Sequence, residues 1–520
     1  MLTQSQRWRE VQQQRLLPVS DFRVDLYVSD PDFASGASAT YTYADRVMSS
    51  STRVVNNETT PGKMATLEQN FWGLDGSFEF YPDTDTRYLS SEASTANAGF
   101  TAAPTATISF TTTSATPIEG ITIRWGTAYS GEWAVDYTVR TYLGTASVDS
   151  LSVGGNFSDV STVSLSGADF DKLKIIVTKW SKPNRRARIE GVLVGVWHSF
   201  SGHDLLSASY DASVSLVSSE LPHYELKFEL DNRTRIYDPD NSSGISKYLS
   251  ERQLVRAYYG LRIDGAMEWC KICELYLSSW ETPRNGIGAT FTARDLYSTM
   301  TATFSGDTPA TYAALLAAVN TQAKFPTDLS GAQRSIWFWG VPPENLPEGF
   351  VASEYSLGEI AQYYANAVGC VMYVDTLSGD LLVYPSRPKS WIFYTAIDAE
   401  RQYSFPESSL DEPRRGIVVN GTEVVTWGTD SEVYEIKNPI WINNPESETR
   451  KAAISRLTTV LKERRHLSGE WRPDTSLEIW DNVRVETPFG LNPIAITGIT
   501  LRYNGGLRGT FEGQVCSDWS

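Results

Sequence analysis

Cysteine, histidine and long apolar runs are all scarce in this chain of 520 residues, which has four cysteines and four histidines. Cys270, Cys273, Cys370 and Cys516 are too few for the dense disulfide framework of a small secreted domain. Cys270 and Cys273 form a CxxC pair, but the surrounding MEWCKICELYL reads as a strand, where residues three apart point to opposite faces. Their Cα atoms would lie roughly 10 Å apart, beyond the about 7 Å limit of a disulfide. No second CxxC or histidine pair completes a zinc set. His198 and His203 stand five apart with Asp204 adjacent, a ligand count too short for a metal site. Neither a metal nor a cofactor is expected.

Several catalytic signatures are missing as well. No histidine sits in HExxH or beside GxSxG, and no P-loop or Rossmann glycine pattern occurs. NGGLRG (504–509) lacks the lysine and the following helix that phosphate cradling needs. TPRNGIG (282–288) reads as a hairpin turn. No apolar run approaches the roughly 18 residues of a membrane helix. The longest clean one, Ala313 to Val319, has seven. The opening MLTQSQRWREVQQQRLLPV is polar and has no signal-peptide core, so a product made and kept in the cytoplasm until it leaves in a particle or by lysis is expected. Basic charge is short too: 45 Lys and Arg against 62 Asp and Glu leave −17. That argues against a general duplex-binding surface, though not against contact with DNA passing through a lumen.

What is present is β-texture and aromatic mass. Hydrophobic residues make up 41%, enough for ordinary cores, and at roughly 150 residues per domain three or four domains are expected. The 16 Trp, 26 Tyr and 20 Phe suit broad subunit interfaces and stacking on sugar rings. FRVDLYV (22–28), ITIRW (121–125), YTVRTY (137–142), KLKIIVTKW (172–180) and YELKFEL (224–230) read as strands. Helices are expected at Thr311–Val319, Ser356–Val368 and Glu446–His466. Ser356 and Glu359 have capping-box spacing, and Asn444-Pro445 offers a cap and a first-turn proline to the third helix.

Composition divides the chain. Residues 29–63 are Ser, Thr and Ala rich and look like a connector. A β-rich insert spans 64–197 and interrupts a β-domain made of 1–63 and 198–300. A mixed α/β segment at 301–412 and a final domain at 413–520 follow.

In the insert, Gly120-Ile-Thr-Ile-Arg124, Asp136-Tyr-Thr-Val139 and Thr178-Lys-Trp-Ser-Lys-Pro183 with Arg185, Arg186, Arg188 and Ile189 resemble the galactose-binding-like jelly rolls of carbohydrate-binding modules and phage tail proteins. Trp125, Tyr129 and Trp133 are candidates to stack on pyranose faces, with Asp136 or Arg124 meeting hydroxyls. The competing role for Trp125 and Trp133 is packing against the sandwich or a neighbouring domain. Lys182, Arg185, Arg186 and Arg188 are either an anion site or, more commonly for such a run, a solvated face or an interface with an acidic neighbour.

The flanking stretch carries a second resemblance. Glu220-Leu-Pro222, the Phe228–Asn232 strand end, Tyr237-Asp-Pro239, Lys247-Tyr-Leu249, Tyr259-Gly260, Trp280 and Phe291-Thr-Ala-Arg-Asp295 look like the N-terminal barrel of baseplate hub, or tail-associated, proteins of long-tailed phages. SLGEIAQYYANAVGCVMYVDTLSGDLLVYP resembles that family's middle domains. The order RGIVVNGTEVV, a basic helix, LEIWDNVRVETP and a final NGGLRG strand resembles its second tube-like domain. The fold class implied is mainly β with α+β parts: two tail-tube-like β-barrel domains, an inserted jelly-roll β-sandwich and a small mixed α/β domain. The function implied is a structural, non-enzymatic virion protein at the tail tip. It would be a homotrimer whose barrels join a six-fold tail tube to a three-fold tip.

The resemblance further implies contacts with a distal tail or tube protein ring and with tail-fibre, tape-measure or tip proteins. DNA is met only in the channel, and a host-surface glycan through the insert. Arg450, Arg456, Arg464 and Arg465 form a basic helix facing the lumen or an acidic partner, or, more simply, a solvated or subunit-facing helix. SIWFWGVPP (335–343) is core, subunit interface or tip loop. Many tail proteins of this kind end in a peptidase or muramidase, whereas this chain stops at Ser520 after tube-like strands, so wall cleavage is expected from another polypeptide. Two other classes remain: a tail-tip glycan hydrolase, which needs two carboxylates across a scissile bond, and a free carbohydrate-binding protein.

Overall fold

Strand-forming sequence with few helical stretches folds as its texture predicts. The computed structural model describes residues 5–516 except 13, 15–18, 31, 34–36, 45–53, 62–67, 69–86, 128–130, 284–286, 327–328, 330–333, 377, 386–395, 398–401 and 430–431. Among these, strands far outnumber helices, in the mainly-β class expected. The five strands read from the sequence all form, as Ser20–Ser29, Gly120–Arg124, Ala134–Leu143, Lys172–Trp180 and His223–Asp231.

The expected pair of barrels is arranged differently from two separate closed ladders. Strands from both ends of the chain run in one hydrogen-bonded sheet of 13 strands, and no described sheet closes on itself. One half of its path runs from Gly195–Ser201 through Ser20–Ser29, Leu254–Ile263, Ala266–Glu281, Gly288–Arg294 and His223–Asp231 to Leu205–Ser213. There Ala208–Ser213 pairs with Gly498–Tyr503 of the long Gly490–Tyr503 strand. The path continues through Leu507–Val515 and Arg465–Trp471 to Glu407–Leu410. Its core joins Phe22, Tyr259, Phe228 and Phe291 to Trp471, Trp480 and Phe511, all essentially buried.

A second hydrophobic core belongs to the sandwich. A five-stranded sheet, in the order Ser38–Thr42, Thr105–Ser109, Lys172–Trp180, Ala134–Leu143 and Ala146–Val153, supplies one layer. The sheet Gly191–Leu193, Gly120–Arg124, Val160–Ser164 contributes Ile121, Ile123 and Val163 to the same core as Val139, Ile175 and Val177. Each such side chain contributes about 1.5–3 kcal/mol on burial. The stretch 29–63, read as a connector, supplies a strand, Ser38–Thr42, and the buried Phe33, Val54 and Val55 to this body. Its poor periodicity reflects an edge strand that is half exposed along its length. The chain leaves the larger sheet at Ser29 and returns at Gly195, which are paired residues. Gly195 is required there, because a Cβ would lie 2.6 Å from the Val28 carbonyl oxygen.

Helix α1 is Gln6–Gln12, α2 is Tyr312–Ala323, α3 is Leu357–Ala367 and α4 is Glu448–Lys462. Ser356 and Glu359 form the expected capping box on α3. The third expected helix is shorter than 446–466. Ser447, not Asn444, caps it by accepting from the Arg450 amide, and Glu463 is already extended. Arg465 opens the next strand, and Arg464 precedes it. The CxxC pair lies in a strand as expected, but a bulge alters its geometry. Cys273 faces Ala257 and Cys270 faces Tyr259, with Ile272 as the extra residue, so both cysteines share one face of the ladder. Both are buried and outside any disulfide, as are Cys370 and Cys516.

Candidate functional site

The aromatic loop nominated for sugar stacking is largely committed to the core. Trp125 is fully buried, and its indole N–H donates to Ser161 Oγ at 2.9 Å. Its ring meets Tyr137 at 4.9 Å and Trp180 at 6.2 Å, both edge to face. No ring face is left for a sugar, which corrects the stacking role for this residue. Trp133 is partly buried and donates its indole N–H to the Asn156 carbonyl at 2.9 Å. Asp136 accepts from the Gly155 amide at 3.0 Å, fastening the neighbouring turn. Tyr129 lies outside the described residues.

The basic run beside this loop is held inward by an acid that the sequence reading did not single out. Glu132 is 1% exposed. It accepts from Trp180 Nε1 and Arg185 Nε at 3.0 Å each, with Lys182 Nζ and Arg188 Nη1 at 3.5 Å. Arg188 also pairs with Glu68, which in turn accepts from the Arg186 amide at 2.7 Å. Protein carboxylates neutralise Arg185 and Arg188, so these two do not form an open anion site, while Lys182 stays 44% exposed beside Glu132. The only local signal was the acid in Gly131-Glu132-Trp133, two residues before a strand.

A polar seam joins the sandwich to the larger sheet. Glu58 accepts from Trp197 Nε1 at 2.6 Å and from Arg256 Nη1 at 2.8 Å. Arg256 also meets Glu274 at 2.9 Å and lies 4.9 Å over the Trp197 ring. These carboxylates hold the Arg256 guanidinium above its usual pKa despite burial, which opposes them. Glu274 pairs in turn with Arg334, whose other end reaches Asp380 at 3.4 Å. His198 Nε2 lies 2.8 Å from Glu119 Oε2, across the same seam. Beside that pair opens a cleft of about 500 Å³ between the sandwich edge and the 232–249 loop. His203 is not brought to the His198–Glu119 pair as a ligand, and no group of three metal-ligating side chains occurs among the described residues.

The four arginines expected on one helical face are divided. Arg450 and Arg456 lie on α4, donating to the Asn443 and Val368 carbonyls at 3.1 and 2.9 Å. Arg464 and Arg465 follow the helix. Arg464 donates to the Asp411 carbonyl at 2.6 Å, and Arg465 to Asn492 Oδ1 at 2.9 Å. All four are half-buried and fasten neighbouring segments.

Two apolar surfaces stand out. Leu410, at the end of the edge strand Glu407–Leu410, is 68% exposed and pairs in register with Arg465. Arg465 also reaches Asn492 on the hairpin bearing Phe489 and Leu491, which are 94% and 55% exposed. In 335–343, Ile336 is buried while Trp337 and Trp339 are exposed, and Trp339 packs 4.9 Å from Tyr384. That stretch is therefore core on one face and surface on the other.

Burial raises the carboxyl pKa of Asp25 and, further, that of Asp295. Asp295 is pushed up to about 7 by burial, partly offset by the backbone amides that it accepts from. It caps a short helix through Ser298 and receives the Tyr224 amide at 3.0 Å. Sealed in the core rather than opening on a cleft, it is a structural cap.

No protein-family model and no curated protein matches the chain. Solved structures do. The tail protein of Neisseria meningitidis MC58 is 12% identical, with a TM-score of 0.41, over 62% of this chain and 94% of its own. The 43 kDa tail protein of prophage MuSo2 from Shewanella oneidensis is 12% identical, with a TM-score of 0.38, over 61% and 94%. The family 32 carbohydrate-binding module of C. perfringens NanJ, solved with galactose, is 13% identical, with a TM-score of 0.20, over 34% and 99%. Each is a likeness of chain path at low identity.

Proposed function

We propose that this chain is a structural subunit of a phage-type tail tip: a baseplate hub that assembles as a homotrimer and joins a six-fold tail tube to a three-fold tip. In this reading the sandwich presents the particle to a host-surface glycan. The observation that carries the proposal is the long composite sheet with an exposed terminal strand that ends in the exposed Leu410. An exposed sheet edge with large apolar side chains invites association and is normally covered. A subunit of a ring covers it with the next copy. The half-buried arginines around α4 then brace the subunit, and a distal tube ring and tip proteins are its neighbours. The catalytic alternative has no comparable support: among the described residues, Asp295, whose pKa burial pushes up to about 7, is a buried cap.

Light scattering followed by negative-stain imaging tests this reading. The expected outcome is a mass of three chains and a three-fold ring with a central channel. The pair of substitutions Leu410→Lys and Phe489→Glu should give folded monomers with unchanged far-ultraviolet dichroism. A chain that stays monomeric at high concentration, or one that releases sugars or peptides from cell walls, would overturn it.

A further inference from the structure

The cleft at the seam has a lining that selects by charge. One side is apolar: Phe200 and Tyr237 are buried with their rings edge to face at 6.3 Å, and Ile236 is 40% exposed beside them. The other side is polar and carries both signs. Asp231 pairs with Arg233 at 2.9 Å, and the Arg233 side chain remains 66% exposed. Glu119, from the strand end of the sandwich, pairs with His198 of the larger sheet. Asp204 is exposed and close enough to Tyr237 to raise, with Asp231, the pKa that burial already raises in that phenol.

Asp231 and Glu119 already have partners in Arg233 and His198, so a charged ligand of either sign would have to displace one of those pairs or rely on Asp204 alone. A neutral molecule that both donates and accepts hydrogen bonds meets no such conflict. Carboxylates accept from its hydroxyls, Arg233 donates to its oxygens, and the apolar wall covers C–H surface. The volume of about 500 Å³ falls within the range of small-ligand pockets. Asp204 was noticed in the sequence only as a neighbour of His203. The fold turns it toward this cleft and away from any metal set.

We infer that this seam cleft is a binding site for a neutral pyranoside, built jointly by the sandwich and the larger sheet. The inference rests on the host-glycan reading above and moves the sugar site from the sandwich's aromatic loop to the seam. Both parts contribute polar groups, so ligand occupancy couples to how the sandwich sits on the sheet.

The test is saturation-transfer NMR on the full chain with methyl galactoside, methyl glucoside, methyl rhamnoside and N-acetylglucosamine. Arginine amide and galacturonate serve as charged controls. At least one neutral sugar should receive saturation. Asp204→Asn replaces a carboxylate that is exposed and outside the core, and should weaken that sugar roughly tenfold, as expected for loss of a charged hydrogen-bond partner. Ile236→Trp fills the cleft from an exposed position and should abolish binding. Tyr129→Ala, in the aromatic loop, should leave it unchanged.

Sugar binding that survives both seam substitutions but is lost with Tyr129→Ala would overturn the seam site while leaving host-glycan binding intact. Saturation of arginine amide or galacturonate without any neutral sugar would overturn it in favour of a charged ligand. Failure of every probe would overturn the glycan assignment itself, and ring formation would still decide the hub reading separately.

Discussion

At the scale of single residues, charge burial is the recurrent device. Glu132 sits among Arg185, Arg188 and Lys182 with almost no exposure. Removing one partner of a buried pair strands the others, at about 3–5 kcal/mol. Glu132→Ala should therefore lower the unfolding midpoint of the sandwich strongly, whereas Asp136→Ala at its half-exposed turn should lower it by much less. Denaturant unfolding followed by tryptophan fluorescence measures both.

Asp295 gives a pH signature. Its folded pKa of about 7 lies above the ordinary aspartate value of 3.8, so the folded state holds the proton more tightly than the unfolded state does. Its contribution to stability is complete below about pH 4 and is lost as the pH rises through about 7. Wild type should lose stability between about pH 4 and 7 relative to Asp295→Asn, read from thermal midpoints. Parallel midpoints for the two proteins across that range would remove Asp295 as the titrating group.

At the scale of elements, capping and bulges decide what periodicity leaves open. The capping box at Ser356 and Glu359 was legible because both partners are local and their spacing is set by the helix itself. Ser356→Ala should destabilise the protein by about 1 kcal/mol, seen as a shift in the denaturation midpoint without a change of slope. The start of α4 was misplaced because Asn444, Pro445 and Ser447 are all plausible first-turn residues, and only the backbone shows whose side chain meets the Arg450 amide. The bulge at Ile272 was invisible for a similar reason. It depends on the partner strand Leu254–Ile263, not on the CxxC segment, and it reverses the expected facing of Cys270 and Cys273. The basic helix was over-extended across Glu463, and with it went the idea of one arginine face.

At the scale of the whole molecule, the decisive geometry is that Ser29 and Gly195 are paired neighbours on adjacent strands. We propose the sandwich as an insertion whose two ends lie close enough for a short turn to replace it. A chain in which a Gly-Ser linker replaces residues 31–193 should keep the larger sheet and its association. It should lose sugar binding, because Glu119 and the seam go with it. Size-exclusion mass and dichroism check the first part, and saturation transfer the second. Loss of Glu58 leaves Arg256 still paired with Glu274, so the larger sheet retains a partner for that cation.

Local pattern alone determined the mainly-β class, the principal strands, the cap of α3 and the absence of a disulfide scaffold. Each depends on side-chain alternation or on residues within one turn of one another. Tertiary structure decided which aromatic faces were free and which charges were neutralised. Trp125 has the composition of a sugar platform but lies between Tyr137 and Trp180, contacts 12 and 55 positions away in sequence. Arg185 and Arg188 look like an anion site until Glu132 and Glu68, from distant segments, fold onto them. Asp204 acquires its surroundings only when the sandwich, the returning strand and the 232–249 loop meet. Exposure and charge balance are sums over neighbours in space, and no window along the chain contains them.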